Sequence, residues 1–462
     1  MAGRQRAVLL SDLHLCSNPR IDDFLWDAEL AALLEAPELA PRGQDQVDLV
    51  LLGDVFDLWQ SVPEAECRAR RSADIELAFG AGSEIGRIGA VLARHGPALA
   101  ALGAFARRPG CRLVVVPGNH DHVLVDPAVQ AAVAARLGLS PGAPSLSFAP
   151  SYESPPLSLY ADHGCQYDAN NAYGDFGSIR LRDEAAGYFF VKLFFNRVEY
   201  RDPRIENSPG GWGAVWHWLR RVLDLSLLAS AIRWFWQYWN DGRVARRLAL
   251  LPGAGPARAG AAALAMPLSP ALLLGGRRGR SADRFFAVDP GMEEFYRAAY
   301  QESAEVRRAV NEILEAQARA PRGGKPRARP ARPGPRRRAA GRPSSAPRPE
   351  VPAPRDRARA LCPPVAAAPA GPLGPPEDVV WAERLYTRGP WFRGPLDVAH
   401  TRFAVFGHTH GERTQPLGNG ATYLNTGSWT GSDSRLPAVV AEQGAGGEPV
   451  ATLVHFQGGK LG

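Results

Sequence analysis

Cysteine is scarce in this chain of 462 residues: there are five, at positions 16, 67, 111, 165 and 362, and no two form a C-x-x-C pair. The odd total and the lack of a C-x-x-C pair give no sign of a disulfide framework, and they point to a reducing compartment. Long apolar runs are also missing. No stretch reaches the roughly 18 uncharged apolar residues of a membrane-spanning helix. The apolar run that follows Met1 to Arg6 is only about four residues, short of the roughly 7 to 15 of a signal-peptide core. The chain is therefore expected in the cytoplasm, with peripheral association at the inner face of a membrane as a further option. It has no internal repeat and no Gly-rich nucleotide loop.

Histidine is rare too, ten in all, yet half of them fall in four of five short segments spread along the chain. The five segments are Asp12-Leu13-His14, Gly53-Asp54-Val55-Phe56-Asp57, Gly118-Asn119-His120-Asp121, His163-Gly164 and Gly407-His408-Thr409-His410. Each follows an apolar run: Ala7 to Leu10, Val47 to Leu52, Leu113 to Val116, Leu157 to Tyr160 and Arg402 to Phe406. Buried strands deliver ligands from their ends in this way, and strand ends converge on one edge of a sheet in open α/β folds. A lone D-x-H carries little information, but five such segments in order, rich in hard metal-ligand side chains, describe a two-metal hydrolase. The other five histidines, His95, His122, His217, His400 and His455, are read as surface or packing residues.

With these residues in this order, the chain resembles the calcineurin-like metallophosphoesterase superfamily, whose pattern is D-x-H, G-D-x-x-D, G-N-H-D/E, H and G-H-x-H. The resemblance covers roughly residues 5 to 190 and 380 to 460. It implies that Asp12, His14 and His410 hold one metal, that Asn119, His163 and His408 hold the other, and that Asp54 bridges both. It also implies that His120 faces the substrate phosphate, with Asp121 behind it as orienting carboxylate. The first two segments resemble the branch that includes UDP-2,3-diacylglucosamine pyrophosphatase, except that His120 stands where that branch usually carries Arg. DNA repair exonucleases of the same superfamily share the motifs. A membrane-associated scaffold that keeps metals only for structure is an alternative of a different class.

The chemistry suits these side chains without the family. Phosphate esters are anionic and repel hydroxide, so hydrolysis needs positive charge at the phosphoryl oxygens and a strong nucleophile at neutral pH. Two divalent cations about 4 Å apart meet both needs, supplying a bridging hydroxide as attacking group. Mixed imidazole and carboxylate ligation favours Mn, Fe or Zn over Ca or Mg. Asp57 is expected to support a ligating His or to shape a turn. Cys16 and Cys165 are expected to be buried small residues. The turn Asn425-Thr426-Gly427-Ser428 is either an anion-presenting turn or an ordinary strand exit.

Two further segments stand apart. Residues 318 to 376 carry fourteen Arg and Lys against Glu350 and Asp356, a balance of +12 that leaves the rest of the chain at −5. Crowded with Pro, Ala and Arg, this segment cannot bury enough surface to order itself and is expected to be a disordered linker, with nucleic acid or anionic lipid as the partners its charge would suit. Residues 185 to 245 hold six of the eleven Trp: 212, 216, 218, 234, 236 and 239. Apolar residues from Trp216 through Leu227, Ala231 and Trp234 to Tyr238 recur mostly at steps of three or four. This describes an amphipathic helix, read as a cap on the core, as a lid for a lipid-like substrate, or as a peripheral membrane contact through residues 212–239. Met292 to Ala318 reads as a surface helix.

The expected architecture is α/β: two packed mixed β-sheets flanked by helices, built from residues 5–184 and 377–460. An inserted Trp-rich helical region spans 185–317, and the linker spans 318–376. The expected function is hydrolysis of a phosphomonoester, phosphodiester or pyrophosphate, on a nucleotide or lipid-linked substrate.

Overall fold

The runs QRAVLL, QVDLVLL and CRLVVV are apolar almost throughout, the mark of parallel strands buried on both faces. In a computed structural model they form β1 (Gln5–Leu10), β2 (Gln46–Leu52) and β3 (Cys111–Val116). The structure describes residues 4–203 apart from 42, 44, 78, 79 and 169, then 225–242, 244, 300–319 apart from 302, and 376–462 apart from 431–434 and 445. The basic segment, but for its ends, and Trp212, Trp216 and Trp218 lie outside the described residues.

The protein is mixed α/β with two mixed sheets. The first has the order β12-β11-β10-β1-β2-β3-β4, where β4 is Leu146–Phe148, β10 Leu436–Gln443, β11 Pro449–Gln457 and β12 Lys460–Leu461. β1 to β4 run parallel and β10 to β12 add antiparallel to them. The second has the order β5-β6-β7-β9-β8, where β5 is Tyr152–Ser154, β6 Leu159–Ala161, β7 Phe403–Phe406, β8 Arg413–Pro416 and β9 Thr422–Asn425. β6, β7 and β9 are parallel, and both outer strands are antiparallel.

Strand alternation assigns each face. Leu9, Val50, Leu52, Val114 and Val116 share one core with Leu159, Ala161, Phe403, Val405 and Leu424 of the other sheet. Val8, Leu10, Leu49, Leu51, Leu113 and Val115 point the other way, onto helices Asp27–Glu35, Ala81–Arg94, Gly96–Arg107 and Pro127–Arg136. The outer face of the second sheet, with Tyr160, Ala404, Phe406 and Tyr423, packs on helix Glu377–Thr387. The fourth apolar run begins as a 3₁₀ turn, Pro155–Leu157, because two consecutive prolines cannot donate to a ladder; its strand starts only at Leu159.

Between β6 and β7 lies a helical insertion. Ala186–Phe190, a π turn Val191–Phe195 and Asn196–Glu199 run on continuously and pack with Leu225–Trp239 and Ala304–Arg319. Leu227, Ala231, Trp234 and Tyr238 are buried, as their spacing requires. The later helix is no free surface element: its described part starts at Ala304, and Val306, Ala309, Val310 and Ile313 are buried in the same cluster. Its many charges lie on the other side, one of them pairing Glu312 with Arg233 at 2.8 Å. Cys16, Cys67, Cys111 and Cys165 are free and buried. No single described helix is long and apolar enough to cross a membrane.

Candidate metal centre

Parallel β1, β2 and β3 end on the same edge of their sheet, and β6 and β7 do the same in the other. The motif loops that leave those ends are tied together by backbone hydrogen bonds: Asp12 N to Gly53 O at 3.1 Å, His14 N to Asp54 O at 2.9 Å, and Gly407 N to His163 O at 3.1 Å. Among the described residues, six other than glycine have positive φ, and five of them are Asp12, His14, Asp54, His408 and His410. Such backbone costs about 1–3 kcal/mol per residue, persists only where the surroundings over-determine it, and clusters at functional sites.

The glycines of the motifs have a steric cause. A Cβ on Gly118 would lie 2.2 Å from Asp54 Oδ1, one on Gly407 2.3 Å from Ser11 Oγ, and one on Gly53 2.3 Å from the His163 ring. Only bare backbone fits beside the ligand side chains.

Two groups of His and Asp able to hold a metal ion result: Asp12, His14 and His410; and Asp54, His163 and His408. In the first, His14 Nε2 lies 3.2 Å from His410 Nε2, and Asp12 Oδ1 is 3.3 Å from His410 Nε2 and 3.8 Å from His14 Nε2. In the second, His163 Nε2 is 3.1 Å from Asp54 Oδ2 and 3.2 Å from Asn119 Oδ1. Asp54 Oδ2 is also 3.9 Å from His14 Nε2, which puts that carboxylate between the groups. All seven residues expected as ligands, Asp12, His14, Asp54, Asn119, His163, His408 and His410, are thus brought together.

Three of the imidazoles have one nitrogen committed elsewhere. His14 Nδ1 meets Asp57 Oδ2 at 3.0 Å, His163 Nδ1 meets Leu52 O at 2.9 Å, and His408 Nε2 meets Asp168 Oδ2 at 3.2 Å. An oxygen acceptor takes the ring proton and leaves the lone pair on the opposite nitrogen. For His14 and His163 that nitrogen is the one turned to the other ligands. Two imidazole nitrogens 3.2 Å apart, as in His14 and His410, repel unless a proton or a cation lies between them. Asp12 Oδ1 is buried and receives no aligned hydrogen bond. A buried carboxylate oxygen of this kind is costly without positive charge beside it.

The electrostatics agree. Burial works to raise Asp12, but His163 and His410 overcome it and hold the carboxyl well below the usual range. Asp54 is likewise lowered against its burial, chiefly by His163 and His120. Burial works against protonation of His163, yet Asp54 and Asp12 raise it to about 9.

A third group, His14, Asp57 and His120, adjoins the first. His120 Nδ1 lies 2.9 Å from Asp57 Oδ1, and the His120 ring stacks on Trp59 with centroids 4.2 Å apart at 28°. Burial opposes charge on His120, and the carboxylates of Asp57 and Asp54 outweigh it, raising its pKa. Asp121 does not stand behind His120. Its Oδ1 accepts from Gly118 N at 2.7 Å, and its Oδ2 from Val55 N at 2.8 Å and Phe56 N at 3.2 Å. Adjacent side chains diverge, so Asp121 ties two motif loops together, and the carboxylate beside His120 is Asp57.

The turn after β9 braces Asp12 instead of presenting its amides. Gly427 N donates to Asn425 Oδ1 at 3.0 Å, Trp429 N to Asp12 O at 3.1 Å and Thr430 N to Ser428 Oγ at 3.1 Å, while Ser428 Oγ reaches Asp12 O at 2.9 Å. Trp59, Asp168, Asn171 and Tyr173 touch the candidate ligands or His120 and were not singled out from sequence. No periodicity marks them, and only their closeness along the chain to Asp57 and His163 gave a signal. No model of a known protein family matches this chain, and no curated protein sequence matches it.

Proposed function

We propose that the chain is a hydrolase built around two divalent metal ions. Within that class we assign it to the calcineurin-like metallophosphoesterases, acting on a phosphomonoester, phosphodiester or pyrophosphate. One observation carries this reading: side chains from five loops, up to 398 positions apart (Asp12 to His410), meet in two groups with Asp54 between them. The donor set fits such ions. It combines imidazole nitrogens whose opposite nitrogens are already engaged, buried carboxylates, one of them with an unserved oxygen, and an amide oxygen, a mixture suited to Mn, Fe or Zn.

Asp12, His14 and His410 would hold one ion, Asn119, His163 and His408 the other, with Asp54 shared. When bound, the ions supply Lewis acidity and an activated water at neutral pH. His120 would give a proton to the leaving oxygen: its Nδ1 lies 2.9 Å from Asp57 Oδ1, close enough for that carboxylate to stabilise the charged ring though not in hydrogen-bond alignment, which leaves Nε2 as the proposed donor. Trp59 fixes the plane of that ring from one side. Asp57 couples the proton donor to His14 through a single carboxylate. Asp121 serves by holding the Gly118 and Val55 loops in register.

The test is a screen of nucleotides, phosphodiesters and lipid pyrophosphates with the chain reconstituted in turn with Mn, Fe and Zn. Turnover of at least one class that disappears in Asp54→Ala is expected. Inertness toward every class with every metal removes the reading.

A further inference from the structure

The loop that follows His163 returns to the candidate ligands it has just left. Asp168 Oδ2 lies 3.2 Å from His408 Nε2, and the same oxygen accepts from Asn171 Nδ2 at 2.7 Å. Asn171 Oδ1 in turn accepts from Asn119 Nδ2 at 3.5 Å. Asn119 Oδ1, at the other end of that amide, is 3.2 Å from His163 Nε2. A chain of contacts thus runs from His408 through Asp168 and Asn171 to Asn119, touching two of the three residues assigned to the second ion alone. Tyr173 completes the loop's hold by donating from its hydroxyl to Asn119 O at 2.7 Å.

Each contact decides which atom is offered to the centre. An imidazole that gives its Nε2 proton to a carboxylate keeps its lone pair on Nδ1, and the carboxylate makes that nitrogen more basic. An amide whose NH2 is accepted by a neighbour turns its carbonyl oxygen the opposite way. Asp168 therefore fixes the tautomer of His408, and Asn171 fixes the flip of Asn119. The first group has a different arrangement: His14 is oriented by Asp57, which lies on the loop after β2. The two groups are supported by separate carboxylates on separate loops.

We propose that Asp168 and Asn171 are positioning residues that set the affinity of the second metal ion independently of the first. This rests on the two-ion reading above. Losing an outer partner of a metal ligand typically weakens binding by about 10- to 100-fold, and the loss is confined here to one ion of the pair.

The experiment uses the full chain, stripped of metal and titrated with Mn2+ by calorimetry, with electron paramagnetic resonance of the loaded protein as second readout. The wild type should take up two ions and give the spectrum of a coupled pair. Asp168→Asn should keep one ion within about twofold of its original affinity, bind the other about 10- to 100-fold more weakly, and show isolated Mn2+ at one equivalent. Asp168→Glu should recover part of the loss. Should Asp168→Asn fail to fold, Asn171→Ala, which keeps the carboxylate, should show a smaller loss confined to the same ion. Two ions held at wild-type affinity in both variants, or both ions weakened alike, overturn the proposal. A wild type that takes up fewer than two ions overturns the two-ion reading itself.

Discussion

Trp59 lies nearly flat against His120, ring centroids 4.2 Å apart at 28°. The loop behind it is held in turn: Asn196 Nδ2 donates to the backbone oxygen of Trp59 at 2.9 Å, Gln60 Nε2 donates to Glu199 Oε2 at 2.5 Å, and Tyr188 meets the indole itself edge-on at 6.0 Å. All three partners belong to the helical segment Ala186–Glu199, so the insertion braces the loop that carries Asp57 and, through Trp59, the ring proposed as proton donor. Trp59→Ala should lower kcat at least about 10-fold with little change in KM, because the ring loses its plane and the ligands stay in place. Unfolding in urea should show a loss of about 3–5 kcal/mol, the cost of emptying a buried Trp site. Trp59→Phe should recover most of kcat. An unchanged kcat in Trp59→Ala would show that the stack is packing alone.

Asp57 serves two imidazoles, and its loss should be felt by both. Asp57→Asn keeps the volume but removes the charge that faces His14 Nδ1 and His120 Nδ1. Metal affinity of the first group should fall about 10- to 100-fold, and turnover with saturating metal should still be reduced by about 100-fold or more, the usual share of a positioned proton donor. Asp121→Asn should differ: its amide keeps one acceptor but turns an NH2 toward a backbone N–H that the carboxylate had served, so the loops loosen and metal affinity falls, while saturating metal should restore most of the rate because the charge beside His120 is kept. Equal rates for the two variants at saturating metal would reverse the roles given to these carboxylates.

Gly118 tests the close approach of backbone to Asp54. Its added Cβ would sit 2.2 Å from Asp54 Oδ1 and 2.4 Å from Asp54 N, and it would push the carboxylate off the bond it accepts from His120 N at 2.7 Å. Gly118→Ala should therefore lose metal uptake, measured by calorimetry, while the chain remains folded by circular dichroism. Gly89, in helix Ala81–Arg94 with open space around its would-be Cβ, is the control. Gly89→Ala should stabilise the chain by about 0.5–1 kcal/mol with metal binding untouched. Full metal uptake in Gly118→Ala would mean that the loop yields more readily than its packing suggests.

The strands were legible because parallel strands buried on both faces are mostly apolar, and β1, β2 and β3 are apolar but for Gln5, Arg6, Gln46, Asp48 and Arg112. The candidate ligands were legible because few side-chain types hold divalent ions and all of them follow those runs. What lay hidden was whatever depends on chain return. Asp168 meets His408 across 240 positions, and no local pattern records that. The choice of Asp57 over Asp121 beside His120 was hidden for the same reason: sequence adjacency suggested Asp121, whereas a ring and the next side chain point apart and the loop after β2 folds underneath. Helix Ala304–Arg319 looked like a surface element because charges are spread along its whole length, yet Val306, Val310 and Ile313 suffice to seat it on Leu225–Trp239.

His95 sets a pH dependence of stability remote from the metal groups. Its ring is almost wholly buried, with Nδ1 3.1 Å from Asp27 Oδ2 and Nε2 3.3 Å from Asp22 Oδ2. Burial works against its charge, and the two carboxylates outweigh burial and raise the pKa to about 9, from an ordinary value of 6.5. The folded chain therefore binds this proton more tightly than the unfolded one. The stabilisation is complete below about pH 6.5 and is lost as pH climbs toward 9, no faster than about 1.4 kcal/mol per pH unit. Lys192 acts in the opposite sense at higher pH: burial lowers it to about 8, so the fold gains stability as the medium turns alkaline above that value. The two are separated by comparing wild type with His95→Gln in urea melts from pH 6 to 9. The difference between the curves should be largest at pH 6 and close to its minimum at pH 9, whatever Lys192 adds to both. A difference that stays constant over that range would mean that folding leaves the pKa of the His95 ring unchanged.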